Sequence, residues 1–201
     1  MKMELSNKQT KRIMKKLILL LLFIPLVSFG QEYSLGKKIN LNFESVDIIS
    51  LKNPDGWRMS KEKTELSNLG NTHQTVVFTK DLSTKISINL RLITKKRKIF
   101  MDTAEMSQDD RLQYLFFLSS QEEFKNPSYA DIQVESPIGL EKIGDKSIAT
   151  YSLILNRVYI SHRFKFMNDD KVLTVIGEGL KSESEKLKSF LKKLIGSIEI
   201  K

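Results

Sequence analysis

Alternation of apolar and polar residues predicts the strands of this chain. Residues 86–92 place apolar side chains on one face and polar side chains on the other, and residues 158–167 repeat the pattern. A period of two is typical of a strand that is buried on one face. Residues 74–80 and 147–155 carry weaker forms of the same signal.

Two turn signals connect the later strands. Asn156-Arg157 and residues 168–170 are residue types that favour turns. They predict an antiparallel meander of three strands, at 147–155, 158–167 and 171–177. The third of these strands is apolar on both faces at its middle, so it is expected in the centre of the sheet.

A helical period predicts a helix at residues 183–195. One of its faces is an apolar stripe, made of Leu187, Phe190, Leu191, Leu194 and Ile195. Ser182 and Glu185 have the spacing of a capping box at its start, and Gly196 can end it in the left-handed conformation. A short closing strand is predicted at residues 197–200.

A second helix is predicted at residues 103–120. Asp102 and Glu105 fit its N-terminal cap. One predicted face consists of Leu112, Leu115, Phe116 and Ser119. Its middle is apolar nearly all round, so this helix is expected to pack on more than one side.

The N-terminal residues have the composition of a secretory signal. Basic residues precede an apolar run at 17–27, and the small residues Ser28 and Gly30 follow it. The run is about half as long as the roughly 20 residues that a spanning helix needs. We therefore expect residues 1–30 to be a cleaved signal peptide, with a retained membrane anchor as the alternative.

The rest of the chain has the size of one domain. We expect a flexible N-terminal lead at 31–37 and a single α+β domain at 38–201 with no transmembrane span. Export to the periplasm or the extracellular space follows from the signal. Both Met1 and Met14 are compatible with a complete signal, so the start residue stays open.

Removal of the signal changes the charge. The whole chain has 33 basic and 24 acidic residues, hence +9. The signal contains six of the basic residues and one of the acidic ones, so the mature chain carries +4. This small surplus does not indicate nucleic acid as a partner. The basic run at 95–98 is interpreted as a solvated loop, with contact to an anionic envelope surface as the alternative.

Residues that carry chemistry are scarce. The chain has no Cys and only two His, at positions 73 and 162, and it contains no phosphate-binding loop, nucleophile elbow or zinc-binding motif. His162 lies on the apolar face of its strand and is interpreted as a packed histidine, with a catalytic base as the alternative. His73 is expected in an exposed turn. We predict no catalytic residues, no metal and no cofactor.

Trp57 follows a tight turn at residues 53–56. It is interpreted as a core side chain, with a binding aromatic as the alternative. Gly177-Glu178-Gly179 lacks the third glycine of a nucleotide-binding motif and is interpreted as the end of a strand.

The order of these elements resembles that of the PsbP-like family. Pro54-Asp55-Gly56-Trp57 leads into a hairpin, a helix and a meander follow, and the last helix runs into a strand at Gly196-Ser197-Ile198. The resemblance implies an α+β fold in which an antiparallel β-sheet is packed with helices as an α/β/α sandwich. It also implies binding or scaffolding, since the family has no common catalytic residues. The polar alternation here departs from the family by predicting one sheet face that is only partly covered.

Five residues form a candidate binding patch. Asn89 and Arg91 share a face of one strand, while Tyr159, Arg163 and Lys165 share a face of another. If both strands present these side chains to the same side of the sheet, they make a basic patch for an anionic ligand or an acidic partner. The alternative is a solvated sheet face.

These observations favour an exported, non-enzymatic binding or scaffolding domain of the bacterial cell envelope. Its expected partner is a protein or an anionic envelope component. A secreted hydrolase with a dispersed carboxylate or Ser site and a small-ligand carrier remain as alternatives. The first needs two carboxyl groups in a cleft, and the second needs a closed apolar pocket.

Overall fold

A computed structural model describes residues 33–42, 48–66, 71–92, 107–123, 131–168 and 171–200. These residues belong to one compact unit, Tyr33–Lys201. The described strands are β1 (Leu35–Asn42), β2 (Ile48–Pro54), β3 (Arg58–Leu66), β4 (Asn71–Thr79), β5 (Lys85–Leu92), β6 (Ile132–Ile143), β7 (Lys146–Leu155), β8 (Tyr159–Asn168), β9 (Lys171–Leu180) and β10 (Glu199–Ile200). The described α-helices are α1 (Gln108–Glu123) and α2 (Ser184–Gly196), with a 3₁₀ helix at Lys181–Glu183.

Seven strands form one antiparallel sheet in the order β3-β4-β5-β9-β8-β7-β6. The predicted meander is confirmed as β7-β8-β9, and β9 occupies the centre, as its two apolar faces indicated. Three residues, 156–158, join β7 to β8, and Asn156 and Arg157 have φ values of 49° and 63°. The Val158 N–H donates to the Leu155 carbonyl at 3.3 Å, so Asn156 and Arg157 are the central residues of the turn, and their positive φ values match the right-handed twist of the strands.

The two faces of this sheet are packed differently. The face that we call the inner face carries the main core and contacts α2 and a second sheet, whose order is β1-β2-β10. The opposite face, the outer face, packs against α1 along β6, β7 and β8. The predicted α+β class is thus confirmed, with an antiparallel sheet, packed helices and a single domain.

Helix α2 lies very close to the sheet where it crosses β9. A Cβ atom on Gly177 would lie 2.4 Å from Leu191 Cδ1, and one on Gly179 would lie 3.1 Å from Leu187 Cδ2. Both glycines lie inside β9 rather than after it, on the face below the helix. The G-x-G spacing is therefore a helix-packing feature of a strand, because residues two apart share a face.

The ends of α2 differ from the prediction. The 3₁₀ helix precedes α2, and Glu183 at its N-cap makes no side-chain capping bond, so the capping box of Ser182 with Glu185 is wrong. Gly196 is the last helical residue and has no positive φ. Ser197 instead donates its hydroxyl to the Leu194 carbonyl at 2.7 Å. The predicted apolar stripe is confirmed, since all five of its residues are buried.

Helix α1 begins later than predicted. Ser107 caps it, because the Asp110 N–H donates to Ser107 Oγ at 3.2 Å and Ser107 Oγ donates to Asp110 Oδ2 at 2.7 Å. The predicted cap residues Asp102 and Glu105 lie outside the described residues. Leu115 and Ser119 are buried as predicted, whereas Phe116 is 43% exposed and does not belong to the buried face.

Several strands had no sequence prediction, namely β1, β2, β3 and β6. β1 begins at Leu35, within the segment expected as a flexible lead, and His73 lies in β4 rather than in a turn. The predicted signal peptide, the basic run at 95–98 and Asp169-Asp170 lie outside the described residues.

Candidate binding site on the outer face

Strand register decides which of the predicted patch residues meet. Asn89 on β5 and Lys165 on β8 both pair with Thr174 on β9, so the three residues form one row across the outer face. Arg163 occupies the next row, opposite Ile176. The strands therefore do present these residues to the same side, with Asn89 and Lys165 about 10 Å apart.

Lys165 departs from the expected solvent-facing patch because it is only 2% exposed. It pairs with Ala149, which packs together with Val172 against Leu115 of α1. Helix α1 therefore lies on this part of the outer face. The backbone of Arg91 pairs with Val172, while its side chain lies outside the described part of the chain.

Asn89 is oriented by its neighbour on β4. Thr75 pairs with Asn89 and donates its hydroxyl to Asn89 Oδ1. The amide group of Asn89 therefore keeps its N–H donors for other partners. It is partly buried at this position.

The Arg163 guanidinium is held by neutral groups. Its Nε lies 3.4 Å from Ser161 Oγ, its Nη1 lies 3.5 Å from Tyr151 Oη, and its Cζ lies 5.6 Å from the centroid of the Tyr151 ring. Among the described residues, no carboxylate forms an ion pair with it. A guanidinium in this state can accept a carboxylate or phosphate bidentately.

The acidic residue that lies nearest to Arg163 in the strand register is already paired with a lysine. Glu178 pairs with Ser161 in the row beside Arg163, and its Oε2 lies 2.9 Å from Lys85 Nζ. The side chain of Glu178 is only 16% exposed, so this pair is partly shielded from solvent. Glu178 therefore does not neutralise Arg163, which an external anion can reach as a charge partner.

An apolar surface adjoins Arg163 at the end of the sheet. Tyr159 pairs with Leu180 on one side and with Leu155 on the other, and Leu155 pairs with Ile132 on β6. The exposed members of this surface are Tyr159 (40%), Leu180 (36%), Ile132 (38%) and its β6 neighbour Val134 (59%). We call these four residues the end strip.

Only Tyr159 of the end strip was identified from the sequence. The signal that could have found the β6 residues is the alternation of Ile132 and Val134 with Gln133 and Glu135. Tyr159 and Leu180 are adjacent in register, and adjacent exposed apolar residues are typical of interaction sites.

His162 belongs to the inner face and is packed, as interpreted from its strand position. It is 2% exposed, its Nδ1 lies 2.7 Å from Ser152 Oγ, and its Nε2 lies 3.1 Å from the Ser184 carbonyl oxygen at the start of α2. A carbonyl can only accept, so Nε2 carries the proton and Ser152 donates to Nδ1. Burial, assisted by the charge of Lys188, lowers the pKa of His162 to about 4.

Trp57 packs with the core, at a corner formed by three aromatic rings. Its ring centroid lies 5.9 Å from that of Tyr33 and 5.8 Å from that of Phe190 on α2. Tyr33 donates its hydroxyl to Glu183 at 2.5 Å, and burial, followed by this carboxylate, raises the pKa of Tyr33. These contacts of Tyr33 anchor the N-terminal end of β1 to the main core.

The described ranges contain neither a metal-ligand cluster nor a helix that could span a membrane. No three His, Asp or Glu side chains there are grouped as metal ligands would be. Neither described α-helix combines the length and the apolar content that crossing a membrane requires.

No protein-family model and no curated protein matches the chain. Among solved structures it is similar to cyanobacterial PsbP (CyanoP) from Synechocystis sp. PCC 6803, with 12% identity and a TM-score of 0.49 over 84% of this chain and 95% of that one. The similar solved structures therefore include a PsbP protein, as the PsbP-like resemblance of the sequence predicted.

Two further structures are similar. LpqN of Mycobacterium tuberculosis, which is involved in cell envelope biogenesis, shares 15% identity and a TM-score of 0.46 over 82% of this chain and 90% of that one. A protein of Bacteroides thetaiotaomicron VPI-5482 shares 16% identity and a TM-score of 0.45 over 84% of this chain. The chain spans about half (49%) of that protein's length. These identities transfer no residue role to this chain.

Proposed function

We propose that this chain is an exported, non-enzymatic binding domain of the bacterial cell envelope, and that it holds an acidic group of a protein or envelope component at Arg163. The secretory pattern of residues 1–30 supports export. The supporting structural observation is the partly buried guanidinium of Arg163, which is bonded to the hydroxyls of Ser161 and Tyr151 and to no described carboxylate.

This arrangement favours binding over catalysis at the site. The groups that contact Arg163 are two hydroxyls and an aromatic ring, none of which is an efficient general acid or base near neutral pH. Glu178, the carboxylate in a neighbouring row, is paired with Lys85. The Tyr151 ring and the two hydroxyls orient the Arg163 guanidinium without neutralising its charge. An acidic partner gains a charge-assisted hydrogen bond and avoids the entropy of ordering the arginine.

The test is capture of a partner from an envelope fraction by the immobilised chain, starting at residue 31. We expect Arg163→Ala to lose the captured partner, because charge-assisted hydrogen bonds contribute roughly tenfold or more in affinity. Arg163→Lys should restore only part of the capture, since an ammonium cannot pair bidentately.

Arg157→Ala is the matched control. Arg157 is an exposed arginine of the same region, but its Nε is paired with Asp131 Oδ2 at 2.7 Å. Capture that survives Arg163→Ala as well as it survives Arg157→Ala would contradict the proposed site. All variants should first give unchanged far-UV circular dichroism and thermal midpoints.

A further inference from the structure

The proposed anion site and the end strip lie on the same face of the same strand. Tyr159 and Arg163 are four residues apart on β8, which corresponds to about 13 Å. The Arg163 side chain leans toward Tyr159, because its Nε contacts Ser161, the residue midway between them on this face. The positive charge therefore lies roughly 7 Å from the position of Tyr159.

This distance matches a repeat of extended polypeptide. In a strand, residues i and i+2 point to the same side and are about 6.7 Å apart. We propose that Arg163 and the end strip form one docking surface for an extended segment of a partner protein, which carries an apolar side chain and, two residues away, a carboxylate. This inference rests on the proposed function and specifies the partner of that site.

The shape of the end strip favours a protein segment over an acyl chain. Tyr159 and Leu180 pair with each other across β8 and β9, and Ile132 lies in the same row on β6, beyond the buried Leu155 of β7. Tyr159, Leu180 and Ile132 are each more than one third exposed. Exposed side chains that are separated in this way present separate contacts to the side chains of a partner, whereas an acyl chain is normally enclosed by its pocket. Tyrosine is also a residue type that is enriched among the energetically dominant contacts of protein interfaces.

Charge complementarity disfavours a second copy of this chain as the occupant. A symmetric contact through this surface would bury the same patch of both copies, so its charges would have to be matched from within that patch. Glu178, the acidic residue in the rows beside Arg163, is already paired with Lys85. A second copy would thus bring another Arg163 to the contact without an unpaired carboxylate from this row.

The experiment compares two fluorescent heptapeptides of identical composition, binding to the chain from residue 31 by fluorescence polarisation. One peptide has Leu and Glu at positions i and i+2 in a Ser/Thr background, and the other has them at i and i+1, on opposite sides of an extended chain. We expect the i, i+2 peptide to bind at least fivefold more tightly. Arg163→Ala and Tyr159→Ser should each weaken it roughly tenfold.

Met59→Ser and Arg157→Ala are the matched controls. Met59 is an exposed apolar residue on the edge strand β3, three strands from β9 in the sheet, and its replacement should leave peptide binding unchanged. Tyr159→Ser changes an exposed side chain, so its thermal midpoint should stay close to that of the original chain.

Four results would overturn the inference. They are equal binding of the two peptides, absence of binding by both, saturable binding of dodecanoate at Arg163 without peptide binding, and a dimer in sedimentation that Tyr159→Ser abolishes. In the envelope capture, dependence on Arg163 without dependence on Tyr159 would reject the inference and leave the proposed function intact. Independence from both residues would reject both.

Discussion

The inner and outer faces of the seven-stranded sheet differ in how completely they are covered. On the inner face Ile86, Ile88 and Phe164 are fully buried in one continuous cluster with α2. The outer face has two smaller clusters, one of them formed by Leu115 with Ala149 and Val172. It also carries the end strip and a guanidinium without a described carboxylate partner.

Within this sheet, the inner face stabilises the fold and the outer face carries the proposed binding surface. Burial of apolar area contributes about 25 cal/mol per Å², so the continuous inner cluster supplies most of the free energy of folding. The outer face contributes less and can therefore present exposed apolar and charged groups. The outcome of substitutions should follow this division, and the predictions below run from the largest expected effect to the smallest.

Truncation of Phe190 should have the largest effect. Its ring is 2% exposed and contacts the rings of Tyr33 and Trp57, so Phe190→Ala removes both burial and aromatic contacts. We expect a loss of about 3–5 kcal/mol in the free energy of unfolding, measured by urea denaturation. Phe116→Ala on the outer side of α1, where the ring is 43% exposed, should change it by about 0.5 kcal/mol or less. Similar losses for the two variants would refute the contrast between the faces.

Acid should destabilise the inner face through His162. The folded chain keeps this histidine neutral, with its pKa lowered to about 4 chiefly by burial, whereas the unfolded chain binds the proton near the ordinary pKa of 6.5. Between pH 6.5 and pH 4 the unfolded state thus binds more protons than the folded state. The contribution of His162 to the free energy of unfolding is therefore fully present above about pH 6.5 and falls by about 3 kcal/mol toward pH 4.

Glutamine does not titrate, so the His162→Gln variant isolates the contribution of His162 to the loss of stability in acid. Other groups that change protonation, such as Asp81 and Asp145, are common to both proteins and cancel in the comparison. Urea denaturation at pH 7 and pH 4 should show a smaller acid-induced loss for the variant. An equal loss in both proteins would mean that His162 is not the titrating group.

The contact of α2 with β9 should be sensitive to a single methyl group. Gly177→Ala places a Cβ 2.4 Å from Leu191, so the helix or the side chain must shift. We expect a loss of about 1–3 kcal/mol in the free energy of unfolding. Gly139→Ala on the edge strand β6 is the control, because nothing lies within 4 Å of the added atom. A Gly177→Ala variant as stable as the control would show that α2 does not approach this closely.

Much of the architecture follows from local pattern. The period of two in β5 and β8 and the apolar stripe of α2 predicted the elements and the buried faces that the structure contains. Strand β3 was missed because its sequence is rich in charged residues, and β1 was missed although Ile39 and Leu41 alternate with polar residues. The start of α2 was also predicted wrongly, since a 3₁₀ helix precedes it in place of a capping box.

The candidate site was only partly accessible from sequence. Asn89, Arg163 and Lys165 were correctly assigned to strand faces, and their common side of the sheet needed only the strand order. The burial of Lys165 required the position of α1, which packs on the row through Ala149. Leu180 and Ile132 lie in the row of Tyr159 only because the ends of four strands, β9, β8, β7 and β6, are aligned by the register.

The sequence by itself determined the signal-like composition of residues 1–30, the class of fold and the residue types that each strand turns to either side. Those properties depend on spacing along the chain, which is a local quantity. Tertiary structure alone decided that one lysine is buried, that Arg163 meets hydroxyls and a ring instead of a carboxylate, and that four exposed apolar residues lie at one end of the sheet. These outcomes depend on which distant segments become neighbours, and the period of a strand carries no information about its neighbour.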